Sequence, residues 1–223
     1  MEYWNRAAFD ALGGGVTTGD PARLAALRER LDVELPAAVR EWLTSDGPDL
    51  LYDPRGNRLA TASTVTRLDD TPPGSDYVWL ETDCQDCCDW FVRVDEGDDP
   101  PVYLLDPEDG TGESRLEYAA RFSDYALVRV WEKRMFDAEV DFLLHRRIPP
   151  GAVEVLRERL TELPVTYGWA GNQGCEQVLR FDGPAMVGLA LIGDTAVWSV
   201  VISDDPALRA ELSTLLYGNP TLT

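Results

Sequence analysis

Apolar residues recur at helical spacing near both ends of the chain and gather into short strand-length runs between them. Asp20 and Pro21 supply a capping carboxylate and a proline at the first helical position. Leu24, Leu27 and Leu31 then share one face of a predicted helix, with arginine and glutamate opposite. "ELPAAVREWL" repeats the device: Pro36 opens a second helix with Val39, Trp42 and Leu43 on one side, and "SDGPD" (Ser45–Asp49) ends it. Residues 53–75 are polar and turn-rich. Three short strands are predicted next, at Tyr77–Leu80, Trp90–Val94 and Val102–Leu105, with "DEGDDPP" and "DPEDGTGE" as breaks. In "RFSDYALVRVWEKRMF", Val128 and Val130 favour a strand. Ser123 as a cap, with Leu127, Val130, Trp131 and Met135 on one face, favours a helix, and we predict the helix.

After Pro149 and Pro150 a further helix carries Val153, Leu156, Leu160 and Leu163, and a strand-like "VTYGW" comes after Pro164. Strands at Cys175–Phe181, Ala185–Ile192 and Thr195–Ile202, joined by "DGP" and "GD", read as an antiparallel meander. Asp205 and Pro206 open a last helix with Leu208, Leu212, Leu215 and Leu216, stopped by Gly218. Helices, strands, a helix, then strands again make an α+β fold, without the strict alternation of a doubly wound sheet. "LRERLDVELP" and "LRERLTELP" are nearly one string, but the first leads into a helix and the second into a strand-like run. Both read as ordinary amphipathic helix and not as a duplication.

A length of 223 residues allows one large domain or two small ones, and 44% hydrophobic content suffices for a real core. The net charge of −20 changes the picture more. Such a surface repels phosphate backbones and anionic lipid heads, so neither nucleic acid nor membrane is expected as a partner. Basic proteins are attracted, and steered towards it. Nearly all the basic residues are arginine, with Lys133 the only lysine, and a generally acidic or halophilic proteome is the competing explanation of the charge. The start, "MEYWNRAAF", does not read as a secretory signal, and the longest apolar run, Ala185–Ile192, is far short of the about 20 residues of a membrane helix. The expected compartment is cytoplasmic, where four cysteines stay reduced unless they hold a metal or do redox work.

Candidate chemistry is sparse. The single histidine, His145, sits beside Arg146 and Arg147, which disfavour the cation that a general base must become. "GGGVTTGD" has Asp20 where a phosphate loop needs lysine. "DPEDGTGE" lacks the ligand spacing of a calcium loop. Cys84 and Cys87 have the gap of half a zinc site, with Cys88 adjacent, and Cys175 and His145 would have to complete it from far away. Asp83, Asp86 and Asp89 raise neighbouring thiol pKa values, the opposite of what a redox cysteine needs. No cofactor is expected. Instead, 13 acidic residues lie between Glu81 and Glu117 against only Arg93 and Arg115. Acid concentrated along a few strands suits a face that meets a basic partner.

The same residues carry a resemblance. The opening helix with "ELPAAVREWLTSDG", the segment "YVWLET…DWFVRVDEGDDPPVYLLD", the helix "RFSDYALVRVWE" and the stretch from "YGWAGNQGCEQVLRF" to "SDDPALRAEL" together resemble the SUKH superfamily, the Smi/Knr-type fold, over nearly the whole chain. The resemblance implies one α+β domain over residues 1–223: a core to residue 135 with helices on a mostly antiparallel sheet, then a helix, a meander and a helix from residue 136. It also implies an immunity role, in which a cytoplasmic, non-enzymatic protein binds and blocks a cognate toxin, often a nuclease. Where relatives tend to show Glu-Asn-Gln and then a tryptophan, this chain has Glu81, Thr82, Asp83 and a longer cysteine-rich loop before Trp90. The residues expected to meet a basic toxin are Glu81, Asp83, Asp86, Asp89, Asp95, Glu96, Asp98 and Asp99. Two other readings stay open: a zinc enzyme or sensor using Cys84, Cys87 and Cys88, and a regulatory scaffold.

Overall fold

The helix starts predicted at Asp20 and Pro36 find their physical counterparts. In the computed structural model, which describes residues 3–67, 77–105, 115–138, 142–168 and 175–218, Asp20 accepts a hydrogen bond from the Ala22 backbone N–H at 2.8 Å. It thereby caps α2 (Pro21–Arg30), which comes after a short α1 (Arg6–Ala11). Pro36 leads into α3 (Ala37–Leu43), which buries Val39, Trp42 and Leu43. "GPDL" does not simply end that helix but forms a further turn, α4 (Gly47–Leu50). Gly47 lies under the Trp42 ring, where a Cβ would come within 2.9 Å of the indole.

The chain divides into two compact units, residues 1–131 and 132–223, with the boundary inside a helix, α5 (Phe122–Asp137). From the sequence, one domain with a C-terminal part from residue 136 was expected. Each of the two units has its own five-stranded antiparallel sheet, and the class is α+β as expected.

The sheet of the first unit runs in chain order: β1 (Arg58–Leu59), β2 (Tyr77–Thr82), β3 (Asp89–Arg93), β4 (Val102–Leu105) and β5 (Arg115–Ala119). A bulge between Trp79 and Glu81 interrupts the β2–β3 pairing, so the alternation of faces slips by one residue. Trp79 and Thr82, three apart, therefore share a face with Asp89, the partner of Thr82. Tyr77, Phe91 and Tyr103 lie on that face too, with ring centroids 4.9 and 5.8 Å apart. The opposite face holds Glu81, Trp90 and Tyr118 against α5, with Tyr118 packed edge-on between Trp90 and Tyr125.

In the second unit the meander is as expected: β8 (Gln177–Asp182), β9 (Met186–Ile192) and β10 (Thr195–Ile202) pair in sequence. Two strands without a sequence signal flank it, β6 (Leu143–Arg147) beside β10 and β7 (Thr161–Glu162) beside β8. Leu179, Phe181, Val187, Leu189 and Leu191 form a core with Leu156 of α6 (Ala152–Arg159) and Leu212 and Leu216 of α7 (Pro206–Tyr217). α6 ends before Leu163, which was expected on its face; the chain there turns to pair with β8. "VTYGW" contributes only a bridge from Thr166 to Val178 among the described residues. Gly218 ends α7 at φ 72°, a left-handed conformation that glycine adopts without steric cost. Among the described residues, no helix is long and apolar enough to cross a membrane.

Candidate functional site

The residues expected on one acidic face separate into three environments. Glu81 is fully buried. Its carboxylate accepts the Tyr125 hydroxyl at 2.5 Å, the Asn57 amide at 2.5 Å and the Arg129 guanidinium at 2.6 Å. A buried carboxylate is tolerable only with such partners. Burial, then the charge of Glu81, pushes the Tyr125 phenol well above its ordinary range, with Arg129 opposing. Glu81 thus anchors β2 to α5, and its expected place in a partner-binding face is corrected: the bulge in β2 puts it on the core side.

Asp83 is also buried, and it builds the cysteine loop. Its backbone N–H donates to the Cys88 carbonyl at 3.0 Å, closing the six-residue connection between β2 and β3. Its Oδ2 accepts from the Gln85 N–H at 2.8 Å and from the Cys87 thiol at 3.0 Å, and its carbonyl accepts from the Asp86 N–H at 2.9 Å. Asp86 sits at φ 56°, a conformation aspartate tolerates better than most residues, and reaches the Arg58 guanidinium at 2.5 Å. The bond to Asp83, then burial, raises the Cys87 thiol to about 11. Cys88, buried, is pushed up chiefly by burial and then by the Asp83 charge. Asp83 and burial together keep these thiols protonated and slow to react.

Asp95, Glu96, Asp98 and Asp99 lie in the β3–β4 loop, at the other end of β3. That five-residue strand spans about 17 Å at ~3.4 Å per residue, so the expected residues do not form one contiguous patch. Asp99 is structural: it accepts from the Ser123 backbone N–H at 2.8 Å and from its hydroxyl at 2.6 Å, at the first turn of α5. Ser123, expected to cap that helix, lies inside it and takes its carboxylate from this loop. The Asp98 carbonyl accepts from Ala38 N–H at 2.8 Å, at the start of α3. Glu96 accepts the Tyr103 hydroxyl at 2.8 Å and sits 3.3 Å from Arg93. Burial and that hydrogen bond raise the Tyr103 phenol to about 12. Asp95 pairs with Arg93 at 2.5 Å, and Asp95 and Asp98 are solvent-exposed.

The candidate zinc ligands divide between the two units. Cys84 and Cys87 belong to the first unit, Cys175 and His145 to the second. Among the described residues, no three His, Cys, Asp or Glu side chains come together as a metal cage. Cys175 is buried with its thiol donating to the Gln177 carbonyl at 3.4 Å, and His145 is exposed on the edge strand β6. The "DPEDGTGE" loop lies outside the described residues.

Nothing in the sequence pointed to a shallow groove of about 490 Å³ on the bulged face, lined by Arg58, Thr66, Trp79, Thr82, Asp86 and Asp89. No family model, no curated protein and no solved structure matches the chain.

Proposed function

We propose that this chain is a SUKH-type immunity protein: a cytoplasmic, non-enzymatic binder that captures a basic toxin, such as a nuclease, and covers the surface meant for phosphates. The placement of charge carries this reading. Residues 1–131 hold 27 acidic residues against 12 basic, whereas residues 132–223 hold 13 against 8. Acidity that served only to keep the protein soluble would load both units alike. After the carboxylates committed to the fold are set aside, Asp86, Asp95 and Asp98 still reach solvent from the two loops that flank β3. Like-signed charge on these loops speeds encounter with a basic protein and repels nucleic acid.

The test is calorimetric titration against a basic toxin domain, sought first among the products of the neighbouring genes. Reversing Asp95 and Asp98 to arginine is expected to weaken binding about tenfold and to flatten its salt dependence. Unchanged affinity would mean that the loops only solubilise. Stoichiometric zinc in cytosolically expressed protein would turn the reading towards the metal alternative.

A further inference from the structure

We propose that the groove beside the β2 bulge is a docking point for one arginine side chain of a basic protein partner, stacked on Trp79 and paired with Asp89. This deepens, and rests on, the reading of the chain as a binder of a basic protein.

The groove is pre-organised by a chain of hydrogen bonds. The Trp79 indole N–H donates to Thr82 Oγ1 at 2.9 Å, and the Thr82 hydroxyl donates to Asp89 Oδ1 at 2.5 Å. The chain exists only because the bulge brings Trp79 and Thr82 to one face. It fixes the plane of a half-buried indole and the orientation of a half-buried carboxylate side by side. The other oxygen of Asp89 has no partner among the described residues. A flat guanidinium satisfies both surfaces at once, with its face on the indole and an N–H on Asp89 Oδ2. An ammonium pairs with the carboxylate but covers less of the ring. An anionic group is repelled, since the surrounding unit has more than twice as many acidic as basic residues.

The chain already provides a competitor. Arg58 lines the same groove and holds Asp86 at 2.5 Å, on a loop locked by Asp83. An incoming arginine meets Asp89 and Trp79 free of Arg58, but finds Asp86 taken and a like charge nearby. Removing the Arg58 charge therefore strengthens docking, while removing the Asp89 charge weakens it. General attraction to an acidic surface shares the second effect but gives no reason for Trp79 to respond.

The experiment uses the full ¹⁵N-labelled chain at low salt, titrated with acetyl-tetra-arginine amide and acetyl-tetra-lysine amide. The chain has seven tryptophans, and the indole cross-peak missing from Trp79→Phe is that of Trp79; the remaining six report that this variant is folded. The Trp79 peak is expected to shift saturably, more strongly with the arginine peptide. Asp89→Asn, which keeps Oδ1 as an acceptor for Thr82, is expected to weaken binding about fivefold, and Arg58→Gln to tighten it about threefold. If the peptide shifts other signals while Trp79 stays still, or if Asp89→Asn has no effect, this docking point is wrong and the acidic-binder reading stands. If no signal moves with either peptide, both fail together.

Discussion

Glu81 and Arg129 meet at 2.6 Å inside the first unit, joining the bulged strand β2 to helix α5. The pair explains why an acidic residue belongs at the end of an otherwise hydrophobic strand, and why it is unavailable to a partner.

Breaking that pair is expected to be costly. Glu81→Gln retains the shape of the side chain but removes the charge that balances a largely buried guanidinium, a loss on the order of 3 kcal/mol. Urea unfolding of the variant against the parent measures it. A change within about 0.5 kcal/mol, typical of a surface site, would show that the network contributes little.

The Asp99 cap makes a separate prediction. Asp99→Ala removes both acceptors used by Ser123 and is expected to cost about 1–2 kcal/mol, as helix caps do. Asp98→Ala, one residue away, leaves the carbonyl that serves Ala38 and is expected to be nearly neutral. Thermal unfolding of the two variants side by side tests whether only one of these carboxylates is structural.

Cysteine reactivity depends on the loop geometry. Cys84 is exposed, while Cys87 donates to Asp83 and is raised to about 11. At pH 8 iodoacetamide is expected to modify Cys84 first, and Asp83→Asn to accelerate modification at Cys87, read by peptide mass spectrometry. The effect on stability has a definite sign. Below the ordinary thiol value of about 8.5, folded and unfolded chains both hold the Cys87 proton. Between there and about 11 only the folded chain keeps it, so unfolding becomes easier as pH rises. Cys87→Ser is expected to remove that part of the alkaline loss.

Arg180 is the corresponding buried charge of the second unit. Its guanidinium reaches Glu132 at 2.5 Å, Thr166 Oγ1 at 2.8 Å and the Val178 carbonyl at 3.4 Å. A lysine ammonium cannot spread over acceptors placed around a planar fork, so Arg180→Lys is expected to cost about 2 kcal/mol or more despite its retained charge. Chemical denaturation decides this, and a neutral result would mean that charge alone matters there.

Elements with strong local signals could be read before any folding. The Asp-Pro starts of α2 and α7, the glycine stop of α7, the α5 helix and the β8–β10 meander all rest on capping chemistry or periodicity within a few residues. β6 and β7 could not be read this way. β6 is "LLHRR", an edge strand with most of its side chains in solvent, and β7 is two residues long; both exist because a neighbouring strand offers a free edge. β5, hidden among acidic turn residues, completes the first sheet for the same reason.

By itself the sequence determined the α+β class, the main helices and strands, and an excess of acid concentrated around β3. Only the tertiary structure decided what each acid does. Glu81, Asp83 and Asp99 look the same in sequence as Asp86, Asp95 and Asp98. The first three are taken up by partners distant in sequence or by the closure of a loop, whereas the last three stay exposed to water even where Asp86 and Asp95 touch an arginine. A single bulge decides which face each β2 side chain joins, and so whether a carboxylate lies in the core or beside Trp79. Such parity is a property of strand pairing, which no local run of residues specifies.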